Sequence, residues 1–598
     1  MIQDTFFVPK STGTYADTFL ANGLAALIDE IFLHHKGPDR SGSTRIIDRG
    51  SYYQIRLSEP LDSAWLEEIG YFNCPAYYLV NAKQKLDDPS GLNVRDIDQT
   101  WEQVRFYAEQ RKALFAQKLK SPEIEQQLKD QEPPHDWQVV AFIGDFRMQA
   151  LNTYDRLVEA WAKSGEHVKQ HISTILQFYA NLSENHEQII GEWKKLAKSD
   201  GIKPQETASQ LLNPHQGKGQ NRPKPDALNM QNVKDCLWLD EILKAGGLWH
   251  CLIPRKATDN EDWKVYAIAP LDLNTVSQHE VYRVFNKYVW KEYRGSTSLK
   301  TDITSLLLFY RAWLDYVETL PDARDDFDAE LARAERVVKG FHVVQFKKLS
   351  QNAYAMVNQS FLSLPAWGNT IHTWQDVTEM KALLDEHLHI VRDIEETHSD
   401  GYDLLRHYRD FIAGENWEAF FDFAVGYSHE IIHRYNQGAT YVPCFSTLSL
   451  RRLFMTSKKP LSHIIESQGF QNVAAAIRYS TVIPQGRKAK KQDNLYEVRY
   501  GLGTELKRKA TVRDEFITGL TDFMHAYNQE NVQKAENREK QMRKDLRTSD
   551  IEELVHLIDE YGCELVANLL VAYGYAREPR SEDTPDTDPE PEPQTETL

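Results

Sequence analysis

The segment His429-Glu430-Ile431-Ile432-His433 fits H-E-x-x-H. On a helix, residues four apart share a face. Both imidazoles could then hold one zinc ion while Glu430 acts as general base, the chemistry of a zinc metalloprotease. Three features weigh against that reading. Arg434 puts a charge directly after the second histidine, and no third ligand follows at H-x-x-G-x-x-H spacing. The preceding run, Phe420 to Ser428, is a bulky aromatic face that reads as core packing. The plainer alternative is a helix whose histidines meet neighbouring side chains or backbone phosphates. No Ser-His-Asp or Cys-His constellation and no acidic nuclease cluster stands out. The expectation is therefore a protein without catalytic residues, metal or cofactor.

A second chemistry is carried by charge. The chain of 598 residues has a formal net charge of -18, yet Arg451 to Arg513 holds fourteen Arg or Lys against four Asp or Glu. A basic block in an acidic protein marks a local polyanion contact. Its densest part is Arg487-Lys488-Ala489-Lys490-Lys491, after Pro484; Arg478, Arg499, Lys507, Arg508, Lys509 and Arg513 lie on flanking segments that read as helices. A helical array with such a ridge suits phosphate contact without base readout. A helical scaffold with an incidental basic patch is the competing reading.

Two further basic segments are candidates for contacts to nucleic acid. Pro214 to Pro225 is rich in Gly and Pro, free of aliphatic residues, and carries Lys218, Arg222 and Lys224. It fails the P-loop pattern, because Leu212 stands where the first glycine belongs and Gly219 where Ser or Thr belongs. It reads either as a surface loop or as a basic loop that orders on nucleic acid. In Tyr282 to Lys300, Lys287, Lys291 and Arg294 recur at helical spacing and form one basic face.

The elements that must position these residues fall into an α+β order. Tyr15 to Leu33 has helical apolar spacing, and Arg45 to Leu57 reads as a hairpin around Asp48-Arg49-Gly50-Ser51. Ala76–Val80, Trp137–Phe146, Trp249–Pro254, Trp263–Pro270 and Phe341–Phe346 read as strands, with helices over 96–129 and 149–198. From Trp374 onward the pattern is helical. The predicted organisation is a mixed α/β region over 1–370, a helical region over 371–454, a basic helical bundle over 455–576, and a Pro-rich acidic tail over 577–598 that cannot bury enough apolar surface to order itself. Five scattered cysteines without a CxxC pair argue for a reducing compartment. The first residues lack the basic and apolar parts of a signal peptide, and no apolar run is long enough to span a membrane. A cytoplasmic protein is expected.

Three strings in the C-terminal third resemble a known family. They are Gln471 to Val482 (QNVAAAIRYSTV), Tyr496 to Ala510 (YEVRYGLGTELKRKA), and Thr548 to Ile551 with Leu570 to Ala576 (TSDI and LVAYGYA). Together they look like the large subunit of a type I CRISPR Cascade complex of the I-B or Myxan kind. Thr12 to Asp17 and the following helix are similar too. The resemblance implies a non-catalytic subunit at the foot of an RNA-guided complex. Its partners would be the guide RNA, target double-stranded DNA, the backbone and handle-capping subunits, and a recruited helicase-nuclease or transposition-targeting protein. The subunit would read the motif flanking the target and hold DNA as the duplex opens, while guide pairing reads sequence. Lys218, Arg222, Lys224, Lys287, Lys291 and Arg294 would then contact the flanking motif or guide, and the C-terminal basic residues the DNA backbone. A product starting at Met455 would hold 144 residues, about the size of that family's small subunit, and internal translation from Met455 is a further expectation.

Overall fold

The computed structural model describes residues 2–37, 44–70, 72–81, 92–117, 119, 121–145, 149–182, 186–202, 211–214, 238–256, 261–291, 298–321, 324–325, 327–350, 353–457, 459, 461–492, 496–537 and 543–578. These form two compact units. The first comprises Met1–Gly368 with Ile412–Gly414, and the second Asn369–Phe411 with Glu415–Leu598. All the described strands lie in the first unit, and the second is helical, so the chain is α+β.

The first unit holds strands β1 (Ile2–Pro9), β2 (Thr44–Asp48), β3 (Tyr52–Asp62), β4 (Tyr77–Val80), β5 (Asn93–Asp96), β6 (Leu252–Lys256), β7 (Trp263–Pro270), β8 (Asp272–Asn274), β9 (Val338–Ser350) and β10 (Ala353–Ser363). One antiparallel sheet runs β1-β3-β2-β8 and another β10-β9-β7-β6, while β4 and β5 pair in parallel. The β2–β3 hairpin forms where the sequence predicts it. Gly50 takes a left-handed φ of 84° and donates its N–H to the Asp48 carboxylate at 2.7 Å. An Asx turn of this kind closes a short hairpin locally. The chain passes from one sheet to the other at Leu271, whose carbonyl accepts from Asp48 N–H at 2.8 Å.

The Tyr15–Lys36 helix starts at Thr14, whose hydroxyl accepts from Ala16 N–H. It packs almost backbone to backbone against the Trp238–Cys251 helix. A Cβ at Gly23 would lie 1.9 Å from the Leu243 carbonyl, and one at Gly247 would lie 1.8 Å from that of Phe19. Any side chain at either glycine would force the two helices apart.

Two predicted strands are corrected. Trp137–Asp145 is a helix, buried along both faces from Trp137 to Ile143. A short run that is apolar all round carries no periodicity to separate a buried helix from a buried strand. The segment expected as a strand from Trp249 is the end of the Trp238–Cys251 helix, with β6 beginning at Leu252. β1 and β10 escape the sequence reading; both are edge strands.

In the second unit, helices follow one another from Trp374–Asp393 to Cys563–Gly574. The first is opened by a capping box, with Thr373 accepting from Asp376 N–H. The aromatic run before the histidines is core, as its pattern predicts: Phe420, Phe421, Phe423 and Tyr427 are buried. Tyr408 and Phe445 pack edge-on to Phe423. No unit boundary falls at Met455, which ends the Thr447–Met455 helix. Its neighbour Phe454 is buried against Phe420, Phe421 and Tyr573, so the helices on either side of Met455 share one core. Among the described residues no helix is long and apolar enough to cross a membrane.

Candidate nucleic-acid interface

The cations of the basic block separate by what each one touches. Arg478 is 4% exposed, donating to Glu578 at 2.8 Å and to the Tyr573 carbonyl at 2.9 Å. Desolvation lowers its pKa. It holds the fold together from inside and does not belong to a surface ridge, which corrects its assignment as a DNA contact. Arg452, likewise buried, pairs with Asp376 at 3.2 Å and with Glu379. Arg499 is half-buried over the Phe523 ring at 5.4 Å, and desolvation lowers its pKa too. Lys507 pairs with Asp422, Lys509 with Glu505 at 2.8 Å, Arg451 with Glu466 at 2.9 Å, and Arg513 with Asp559 at 2.7 and 3.0 Å.

The turn after Pro484 is different. Lys488, Lys490 and Lys491 are exposed, as is Arg508 on the neighbouring Leu502–Lys509 helix, and Arg487 is partly exposed. No ion pair is formed by Arg487, Lys488, Lys491 or Arg508 among the described residues. The backbone explains why these side chains turn outward. The Val482–Ala489 helix ends in a closed loop: Lys490 N–H donates to Gly486, Lys491 N–H to Lys488, and Gln492 N–H to Arg487, at 3.0, 3.1 and 2.9 Å. Lys491 adopts the left-handed region, with φ 56°. The terminal carbonyls are thus satisfied by the chain itself, and the cations stand at the negative end of the helix dipole.

A polar chain ties this turn to the helix bearing the histidines. Lys488 Nζ lies 3.4 Å from the Tyr500 hydroxyl, which donates to Gln485 Oε1 at 3.2 Å. Gln485, itself buried, donates to Asn436 Oδ1 at 2.7 Å, at the end of the Trp417–Asn436 helix. Sequence reasoning missed Gln485, Tyr500 and Asn436, because nothing in their local spacing signals an anchor.

His429 and His433 are exposed on that helix, with parallel rings 6.4 Å apart. His433 Nε2 is 2.8 Å from the Gln437 amide, and Arg434 pairs with Asp393. Among the described residues no group of three His, Cys, Asp or Glu is placed to hold a metal ion.

The candidates of the first unit fare differently. Lys287 pairs with Glu132 at 2.8 Å, and Lys291 with Glu125 at 3.0 Å. The basic face read from the sequence is therefore turned onto acidic partners of its own unit. Arg294 and the loop residues Lys218, Arg222 and Lys224 lie outside the described residues. No family model matches this chain, and no curated protein is significantly similar to it.

Proposed function

We propose that this chain is the non-catalytic large subunit of an RNA-guided CRISPR surveillance complex, and that its second unit holds target DNA by the backbone. The observation that carries the reading is the cluster of outward cations at Arg487, Lys488, Lys491 and Arg508, with the exposed Lys490 beside them, in a unit where many other basic side chains are engaged by its own carboxylates. Lysine-rich turns on a helical support neutralise phosphates without reading bases. The family resemblance supplies the rest: a guide RNA, neighbouring complex subunits and a recruited effector as partners. Sequencing of nucleic acid co-purified with the protein from its native host tests this. The expected result is a population of short RNAs sharing one constant end and differing in the middle. Recovery of the intact native assembly without such RNA would overturn the proposal.

A further inference from the structure

The first unit contains a cavity of about 390 Å³ where its two four-stranded sheets meet. Its walls come from both sheets and from the loop that opens the Tyr15–Lys36 helix. Lys10 follows β1, Asp48 ends β2, and Lys339 and His342 belong to β9. No motif in the sequence brings these four together.

The charges in this cavity are unevenly placed. A single carboxylate, Asp48, serves two ammonium groups, with Lys10 Nζ at 2.5 Å from Oδ1 and Lys339 Nζ at 3.4 Å from Oδ2. Each ammonium also faces an aromatic ring: Lys10 stands 4.1 Å from the Tyr53 centroid and Lys339 5.9 Å from that of Phe361. Asp48 is further held by Gly50 N–H, so it is fixed in place. The other carboxylate on the wall, Asp17, is already used. It is buried and accepts from Thr12 and Gly13 N–H at 2.8 to 3.2 Å. The imidazole of His342 faces the same space, edge-on to Phe361, and makes no hydrogen bond among the described residues. Burial pushes His342 down to about 4, and Lys10 and Lys339 push it further in the same direction, with Asp48 opposing. It is a neutral group in a locally positive field.

We propose that this seam cavity binds a phosphomonoester, with Lys10, Lys339 and His342 converging on its oxygens. Lysine ammonium groups bind phosphate as point charges. Three donors, one following β1 and two on β9, suit a tetrahedral group with several acceptor oxygens better than a planar carboxylate with two. The volume lies in the range of small-ligand sites, and the Tyr53 and Phe361 rings offer apolar surface to whatever carries the phosphate. The two ammonium groups are balanced by Asp48 and Asp17, so the wall holds no spare positive charge against a ligand charge of about -1.5 to -2 near pH 7. Binding therefore draws a proton onto His342. The phosphomonoester belongs either to a free mononucleotide or sugar phosphate, or to the 5′-phosphate end of a strand. The inference does not depend on the function proposed above.

Calorimetry on the full-length protein tests it, with inorganic phosphate, adenosine 5′-monophosphate, a 5′-phosphorylated oligonucleotide and its 5′-hydroxyl counterpart as probes. Phosphate and at least one of the larger monoesters should bind. Lys339→Gln should weaken binding by about tenfold or more; Lys339 is largely exposed, so this variant keeps the fold. His342→Gln should remove the proton uptake, read from the dependence of the binding heat on buffer. Arg406→Gln, at an exposed i,i+3 pair in the other unit, should leave the binding of phosphate and adenosine 5′-monophosphate unchanged. A loss in Lys339→Gln confined to the mononucleotide identifies a small-molecule site, and a loss for the phosphorylated strand that the 5′-hydroxyl strand does not share identifies a strand end. Equal affinity for phosphate and adenosine 5′-monophosphate in Lys339→Gln, or no binding by any phosphomonoester, overturns the proposal.

Discussion

Arg543 and Arg487 carry the same guanidinium and lie in the same helical unit, yet they face opposite environments. Arg543 is 7% exposed and caged between the Tyr496 and Tyr527 rings, 3.9 and 4.0 Å from their centroids. It donates to Asn531 Oδ1 at 2.7 Å, to the Tyr479 carbonyl at 3.2 Å, and to Glu530. Arg487 stands at the end of a short helix with no ion pair among the described residues. A buried cation must be matched by nearly every neighbour because water no longer solvates it. An exposed one keeps its hydration until a polyanion releases counterions in exchange. The contrast shows that cations of one type in one region divide into internal struts and an outward surface, and charge counting alone does not separate them.

The sharpest way to break this comparison is Arg543→Met. Removing the guanidinium takes a donor from the buried Asn531 Oδ1 and leaves the partly buried Glu530 carboxylate with only the Glu497 N–H, and a destabilisation of about 3–5 kcal/mol is expected from denaturant unfolding. A change near zero would place Arg543 with the outward cations.

Acid provides the next test. Burial holds His387 down at about 3 within the second unit, against about 6.5 in an unfolded chain. The unfolded state takes up the proton first. The contribution of neutral His387 is therefore complete above pH 6.5 and falls by about 1.4 kcal/mol per pH unit as pH drops from there toward 3. His387→Gln should flatten the pH dependence of unfolding in that window. His250 and His342, both held down at about 4 in the first unit, should retain their own share.

Arg478→Met should cost about 1–3 kcal/mol, because the buried Tyr573 carbonyl loses its 2.9 Å donor and keeps the longer backbone bond from Ala576 N–H at 3.3 Å, while Glu578 can return to water; DNA affinity should keep its salt dependence. A flatter salt response in that variant would restore Arg478 to the binding surface. Breaking the half-exposed Lys507–Asp422 pair with Asp422→Asn should change stability by only about 0–1 kcal/mol, measured by the same denaturant midpoint.

The sequence was most legible where structure is local. The Asp48-Arg49-Gly50-Ser51 turn, the Tyr15 helix and the aromatic face before His429 follow from residue type and spacing alone. The charge of the 451–513 block is legible too, but its sorting is not. Arg478 finds the Tyr573 carbonyl 95 residues away, Lys507 finds Asp422 at 85, and Arg452 finds Asp376 at 76. Partners that distant are fixed by packing, and no periodicity records them. Lys287 and Lys291 misled for the same reason: their helical spacing is real, but Glu125 and Glu132 arrive from a distant segment. The Trp137–Asp145 helix failed as a strand because burial on every side erased its pattern.

The central claim is that the turn Arg487-Lys488-Ala489-Lys490-Lys491 is the outward cationic surface through which the second unit meets DNA. The direct measurement is the slope of log affinity against log salt for duplex and single-stranded DNA. It compares the full-length protein with a variant carrying Gln at Arg487, Lys488, Lys490 and Lys491. Each phosphate no longer neutralised should reduce the slope by about 0.9 on duplex or 0.7 on single strands. A total fall of roughly 2–4 is therefore predicted, with stability unchanged within about 0.5 kcal/mol. An unchanged slope in a fully folded variant would contradict the claim.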